Sequence, residues 1–250
     1  MIYNKNEKNI HQDFMRKILE EINKKNLPTV LKGGTALFLC YNLDRFSEDI
    51  DLNSEKKFNL ESLIKIASKR SNITIKSIKI TKDSNTTRRY IISYNNYMRL
   101  KIETSFREKI NFDNVQKINN IQVYNINEIA KMKLLAINGK NARTKARDLH
   151  DIIWIFSNYY HLLNERIGLD IIELSKNLER LFEFQIDYDC DDLLSGTYFE
   201  DLSKLEKSIK QMTNNNVLEN EFYCFSEDEY EKLIKEAEKL EKVKYIEKLK

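Results

Sequence analysis

Apolar residues recur at helical spacing over residues 8–26, where Ile10, Phe14, Ile18, Leu19 and Ile22 share a face. Asn26 and Pro28 end that pattern. The following run, VLKGGTALFLCYNL, reads as a short strand, a double glycine and an apolar helix. DIDLN at 49–53 alternates and predicts a strand, and 59–70 predicts a helix. Three further strands are predicted at 73–81, 87–95 and 98–106. In the last of them Leu100, Ile102, Thr104 and Phe106 point one way, and Arg99, Lys101, Glu103 and Ser105 the other. A short strand near 121–124 precedes helices predicted at 127–138, 142–160, 170–185, 198–213 and 227–248. The last opens on a capping box, Ser226 with Glu229, and carries the stripe Tyr230, Leu233, Ile234, Ala237, Leu240, Val243. The triple Asn at 214–216 reads as a loop. The expected class is α+β: a mixed-sheet α/β domain over 1–125, then an α-helical domain over 126–250 with an acidic C-terminal extension.

Composition narrows the class. Charged residues are 32% and apolar residues 41% of 250, as in soluble globular proteins. No run of 18 or more uncharged apolar residues exists, so no transmembrane helix and no membrane partner are expected. The first residues lack the apolar core of a secretory leader, which makes the cytoplasm the expected location. With one Pro and five Gly, each marks something. Cys40, Cys190 and Cys224 are odd in number and lack a CxxC spacing, and His11, His150 and His161 are scattered. Any metal must therefore be held by carboxylates. The net charge of +3 hides an asymmetry: residues 1–160 carry 29 Lys and Arg against 17 Asp and Glu, residues 161–250 carry 13 against 22. A basic front half suits a nucleic acid or nucleotide partner. The alternative is an Asn-, Ile- and Lys-rich bias with solvated charged faces.

Three places carry candidate chemistry. Lys32-Gly33-Gly34-Thr35 lies at a strand-to-helix junction, where glycines admit close approach, Thr35 can cap the helix and free N–H groups can hold a phosphate. Such a turn can also be purely structural. Fourteen residues after Thr35, Asp49 and Asp51 fall on one face of a strand, their backbones about 6.6 Å apart. Two carboxylates so close favour a cation between them, and oxygen donors favour Mg²⁺ or Mn²⁺; a polar edge strand with solvated Asp is the alternative. Glu103 joins them if its strand lies beside DIDL, and otherwise faces solvent paired with Lys101 or Arg99. Three acids beside a phosphate-binding turn suit phosphoryl or nucleotidyl transfer. Further on lie Lys131 and Lys133, then the basic run Lys140, Arg143, Lys145, Arg147, which could track a phosphate backbone. Asp148 and Asp151 share a side of their helix, with Arg147 placed to pair with Asp151. A ladder of this kind also fits a solvated helix face.

In order along the chain, Gly-Gly-Thr at 33–35, Arg-x-Ser-x-Asp-Ile-Asp-Leu at 45–52, Lys-Ile-Glu at 101–103, Lys-x-Lys-Leu-Leu-Ala-Ile at 131–137 and Ala-Arg-Asp-Leu-His-Asp-Ile at 146–152 resemble the motifs of the AbiEii/AbiGii toxin family of nucleotidyltransferases. The resemblance covers about residues 28–160 and implies a polymerase-beta-like transferase domain with a helical extension. It implies that Gly33, Gly34, Thr35 and Ser47 bind the nucleotide, and that Asp49, Asp51 and Glu103 hold metal, with Glu103 helping to deprotonate the attacking hydroxyl. Lys133 would contact the nucleotide phosphates, with Lys131 as its rival, and Asp148 would be the acid of the final motif, with Asp151 its neighbour. His150 departs from the common Tyr. The cofactor implied is Mg²⁺ or Mn²⁺ with an NTP as substrate. Implied partners are an RNA acceptor, at the tRNA 3′ end, and a cognate antitoxin, in a type IV toxin–antitoxin or phage-defence setting. Transfer to a protein or small-molecule hydroxyl, or a non-catalytic binding module, are the alternative readings.

Overall fold

The computed structural model describes residues 3–95, 97–140 and 142–214. The helix predicted over 227–248, with its capping box, lies outside the described residues. The first helix, α1 (Lys5–Lys24), starts at a capping box in which Asn4 and Glu7 exchange bonds, and buries the predicted stripe through Phe14, Ile18, Leu19 and Ile22. Next come β1 (Thr29–Lys32), α2 (Gly33–Cys40), β2 (Asp49–Ser54) and α3 (Glu61–Arg70). The three-strand run follows as β3 (Ile75–Asp83), β4 (Thr87–Tyr94) and β5 (Met98–Ser105). A hairpin of β6 (Val115–Ile118) and β7 (Ile121–Tyr124) completes one seven-stranded sheet in the order β3-β4-β5-β2-β1-β7-β6.

The order puts β2 in the interior of the sheet. It runs parallel to β5 and antiparallel to β1, so the Asp49–Asp51 strand is not an edge. Alternation does the rest. Ile50 and Leu52 of β2, Leu100 and Ile102 of β5, and Tyr90, Ile92 and Tyr94 of β4 are buried, with the Phe14 and Tyr94 rings 5.0 Å apart. Each such side chain contributes about 1.5–3 kcal/mol through burial. The intervening positions, including both acids, are left for the other face.

β6 has no counterpart in the sequence pattern, because Val-Gln-Lys-Ile is too short to show alternation. It is set by its turn: Asn119 and Asn120 both take positive φ, 48° and 62°, the geometry of a tight hairpin. Asn26, Asn42, Asn72 and Asn95 take the same conformation. In a glycine-poor chain asparagine fills the left-handed turns, since its short polar side chain tolerates them.

From Ile126 the chain is helical: α4 (Ile126–Asn138), α5 (Ala146–Tyr159), α6 (Glu165–Lys176), α7 (Leu178–Cys190) and α8 (Tyr198–Asn214). The single helix predicted over 170–185 is two. Asn177 ends α6 and caps α7 by accepting the Arg180 N–H. α5 is the hub of this half and packs on α4, α7 and α8. It is buried nearly all round, through Leu149, Ile152, Ile153 and Phe156, as predicted, and also through Asp148, His150 and Asp151. The acid ladder of α5 is therefore no solvated face.

Candidate active site

Gly33 has φ +71°, a conformation that costs a residue with a Cβ about 1–2 kcal/mol, and a Cβ there would lie 3.5 Å from the Asp51 carboxylate. α2 begins at Gly33 itself, with Lys32 before it and no side-chain cap. Thr35 thus sits inside the first turn and does not cap it. Its buried hydroxyl lies 2.7 Å from Ser47 Oγ and also donates to the Asp49 carbonyl. Thr35 and Ser47 therefore fix the start of β2, and what the turn offers a ligand is main-chain N–H.

Gly34 is small for a different reason. A Cβ at this position would come within 2.8 Å of Arg45 Nη2. The Arg45 guanidinium lies against the turn and donates from Nε and Nη2 to the two oxygens of Asp151, 2.7 Å each. This bidentate pair, 106 residues apart in sequence, ties the loop before β2 to α5. Arg45 belongs to the Arg-x-Ser-x-Asp-Ile-Asp-Leu motif, whose local spacing assigns it no partner.

Strand register assembles the acids. Asp51 is paired with Lys32 on β1 and with Glu103 on β5, and Asp49 is paired with Lys101 on β5. The predicted adjacency of Glu103 and DIDL is thus met. The cations differ from those expected. Lys101 Nζ stands 2.6 Å from Asp49, while Glu103 is held by Arg89, at 2.7 Å from Nε and 2.6 Å from Nη2, not by Lys101 or Arg99. Burial pushes the Asp51 carboxyl above the ordinary carboxylate range, opposed by Lys101 and reinforced by Asp49. Burial lowers Lys101, but its bond to Asp49 carries the net shift upward.

The helical half supplies the other wall. Lys133 Nζ is buried between Asp148 and Asp151, at 2.6 and 2.7 Å. Arg143 takes the second oxygen of Asp148 at 2.7 Å. Burial raises Asp151, yet Lys133 and Arg45 leave it net below the usual range. Lys131 points elsewhere: it is exposed, 3.7 Å from Glu128, and lines a separate groove of about 1540 Å³ that contains none of these acids. The predicted Arg147–Asp151 pair is not formed. Arg147 reaches Asp191 and Lys145 reaches Asp187, each at 2.7 Å, so acids at the end of α7 and just after it cover part of the basic run.

These walls enclose a cleft of about 740 Å³, lined among others by Gly34, Ser47, Asp49, Asp51, Lys133 and Asp148. Its floor is steadied from behind by His11, buried on α1 and 2.7 Å from the Glu48 carbonyl. Burial lowers the His11 pKa, so this ring is neutral at neutral pH.

Asp49 and Asp51 are hard oxygen donors two residues apart on one strand, and an ammonium already occupies one of them. That donor set fits Mg²⁺ or Mn²⁺. Glu103, turned to Arg89, does not complete a cage: among the described residues no three His, Cys, Asp or Glu converge as a metal-binding group. No helix among these residues is long and apolar enough to cross a membrane.

Residues 16–237 match the family model described as nucleotidyl transferase AbiEii toxin, type IV TA system. The crystal structure of JHP933 from Helicobacter pylori is 30% identical, covers 88% of this chain and 100% of its own, and superposes with a TM-score of 0.71. A crystal structure of a candidate nucleotidyltransferase from H. pylori is 29% identical over 86% of this chain and 100% of its own, with a TM-score of 0.72. No functionally curated protein matches the chain in sequence.

Proposed function

Because the chain belongs to the AbiEii family of nucleotidyltransferase toxins of type IV toxin–antitoxin systems, we propose that it transfers NMP from an NTP to an RNA hydroxyl, at the 3′ end of tRNA. The observation that carries this reading is the opening of Asp49, Asp51, Gly34 of the glycine turn and Lys133 into one cleft. The acceptor oxygen bonds to the α-phosphorus, the bond from that phosphorus to the β-phosphate oxygen breaks, and pyrophosphate leaves. The proton of the hydroxyl passes to a carboxylate of the acid row or to water. Asp49 and Asp51, with Glu103 beside them, would hold Mg²⁺, which would supply charge that stabilises the phosphoryl oxygens.

The chain's own groups then divide the work. Main-chain N–H groups at Gly33 and Gly34 orient the triphosphate. Asp49, paired with Lys101 in this structure, would be one of the two residues that hold the divalent cation. Lys133 turns from Asp148 and Asp151 to a phosphate oxygen, and Arg143 keeps Asp148 from being left unpaired. In this reading residues 1–125 form the metal-holding domain, and the helical domain from 126 contributes the phosphate-binding lysine. The protein acts in the cytoplasm under control of a cognate antitoxin.

The test is incubation with each NTP radiolabelled at the α-phosphate, Mg²⁺ and total RNA, resolved on a denaturing gel. A labelled band of tRNA size, sensitive to RNase and lost in Asp51→Asn, is expected. An RNase-resistant labelled protein would replace RNA by a protein acceptor, and an active Asp51→Asn enzyme would refute the metal assignment.

A further inference from the structure

The face of the sheet that bears the acids continues beyond the cleft. β2, β5, β4 and β3 follow one another from the acids to the sheet edge. Register draws two rows across them: Asp51, Glu103, Arg89, Lys82 and Asp49, Lys101, Ile91, Lys79. A bulge between Ile80 and Lys82 brings Lys82 opposite Arg89. Each row begins at a proposed metal-binding acid and ends on a lysine of the edge strand, a span of about 14 Å at the usual strand spacing.

The two sides of these strands differ in kind. Tyr90, Ile92 and Tyr94 belong to the main core cluster, Ile91 on the other side of the strand is 9% exposed, and Lys79, Lys82 and Arg99 are exposed. None of these three cations has an acidic partner among the described residues. Tyr97, 56% exposed, stands at the β4–β5 turn two residues from Arg99. The strip thus combines unpaired cations and an exposed ring, the combination that holds a single-stranded polynucleotide by its phosphates and its base faces.

We propose that this open face of β3–β4–β5 is the track for the single-stranded 3′ end of the RNA acceptor, with its phosphates on Lys79, Lys82 and Arg99 and its terminal hydroxyl over Asp49 and Asp51. The inference rests on the RNA reading above and adds where that RNA lies. Lysines on an edge strand also oppose sheet-to-sheet association; a role confined to that would leave acceptor kinetics untouched.

The test is the Lys79→Gln/Lys82→Gln protein. Both side chains are exposed and neither belongs to the cleft, so the melting temperature is expected to stay at the wild-type value. Transfer to tRNA is measured as a function of tRNA, NTP and salt. The expected result is a raised KM for tRNA with kcat and the KM for NTP unchanged. Loss of two phosphate contacts lowers the slope of log affinity against log salt by about 1.4, so over a fourfold rise in salt the wild type weakens about sevenfold more than the variant. If the wild type labels tRNA and the variant matches it in tRNA KM and salt slope, the track is overturned while the RNA reading stands. If the wild type labels protein and no RNA, the acceptor reading falls and the track with it.

Discussion

Asp151→Asn removes one charge from a fully buried group and leaves its shape. Asp151 is 0% exposed and Arg45 7%. Lys133 keeps Asp148 after the substitution, but Arg45 is left without a carboxylate, its other bond being a 3.3 Å contact from Nη1 to the Phe46 carbonyl. Breaking one side of a buried pair costs about 3–5 kcal/mol, because the remaining ion has lost water and gained nothing. For a chain of this size that lowers the melting temperature by roughly 6–20 °C. Asp148→Asn should cost less, since Lys133 retains Asp151 and Arg143 is half in solvent. The assay is urea or thermal unfolding of Asp151→Asn and Asp148→Asn, and of Arg45→Met, Asp151→Leu and the double variant Arg45→Met/Asp151→Leu. An apolar pair of similar volume restores much of the loss, so the double variant should be more stable than the sum of its singles by about 1–3 kcal/mol. An Asp151→Asn cost below about 1 kcal/mol, or strictly additive singles, would refute the claim that this pair locks the loop before β2 to α5.

Gly34→Ala places a methyl group against the Arg45 guanidinium; we expect a folded protein with transfer activity reduced at least tenfold and a raised KM for NTP, measured by pyrophosphate release. Lys133→Ala should abolish transfer and Lys131→Ala leave it unchanged, which the same assay reads directly. Chelation of divalent ions should stop the reaction and Mg²⁺ restore it. Two histidines give stability opposite dependences on pH. Burial lowers His150, but its bonds to Asp201 and Asp44 raise it on balance above 6.5, so its contribution is complete below that value and lost as pH rises through the raised one. His11, lowered by burial, loses stability as pH falls through 6.5. Unfolding of His150→Gln from pH 5 to 9 should show a flatter alkaline limb than wild type, and an unchanged limb would reject that assignment.

What the sequence determined was local. Alternation placed Arg99, Lys101 and Glu103 on the polar side of their strand, and spacing by two put Asp49 and Asp51 on one side of theirs, because side-chain direction in a strand follows from position alone. The order of motifs placed the family, and with it the pairing of Lys133 with the cleft as one of two options. What the tertiary structure decided was partnership. Asp151 meets Arg45 across 106 residues, Glu103 meets Arg89 where Lys101 or Arg99 was expected, and Arg147 reaches past Asp151 to Asp191. Thr35, by position a candidate helix cap, is a brace for β2. The physical reason is the same in each case. A charged or hydroxyl side chain in this interior must be satisfied by whichever group the packing brings within about 3 Å. That neighbour is set by strand order and helix docking, which no stretch of local sequence encodes by itself.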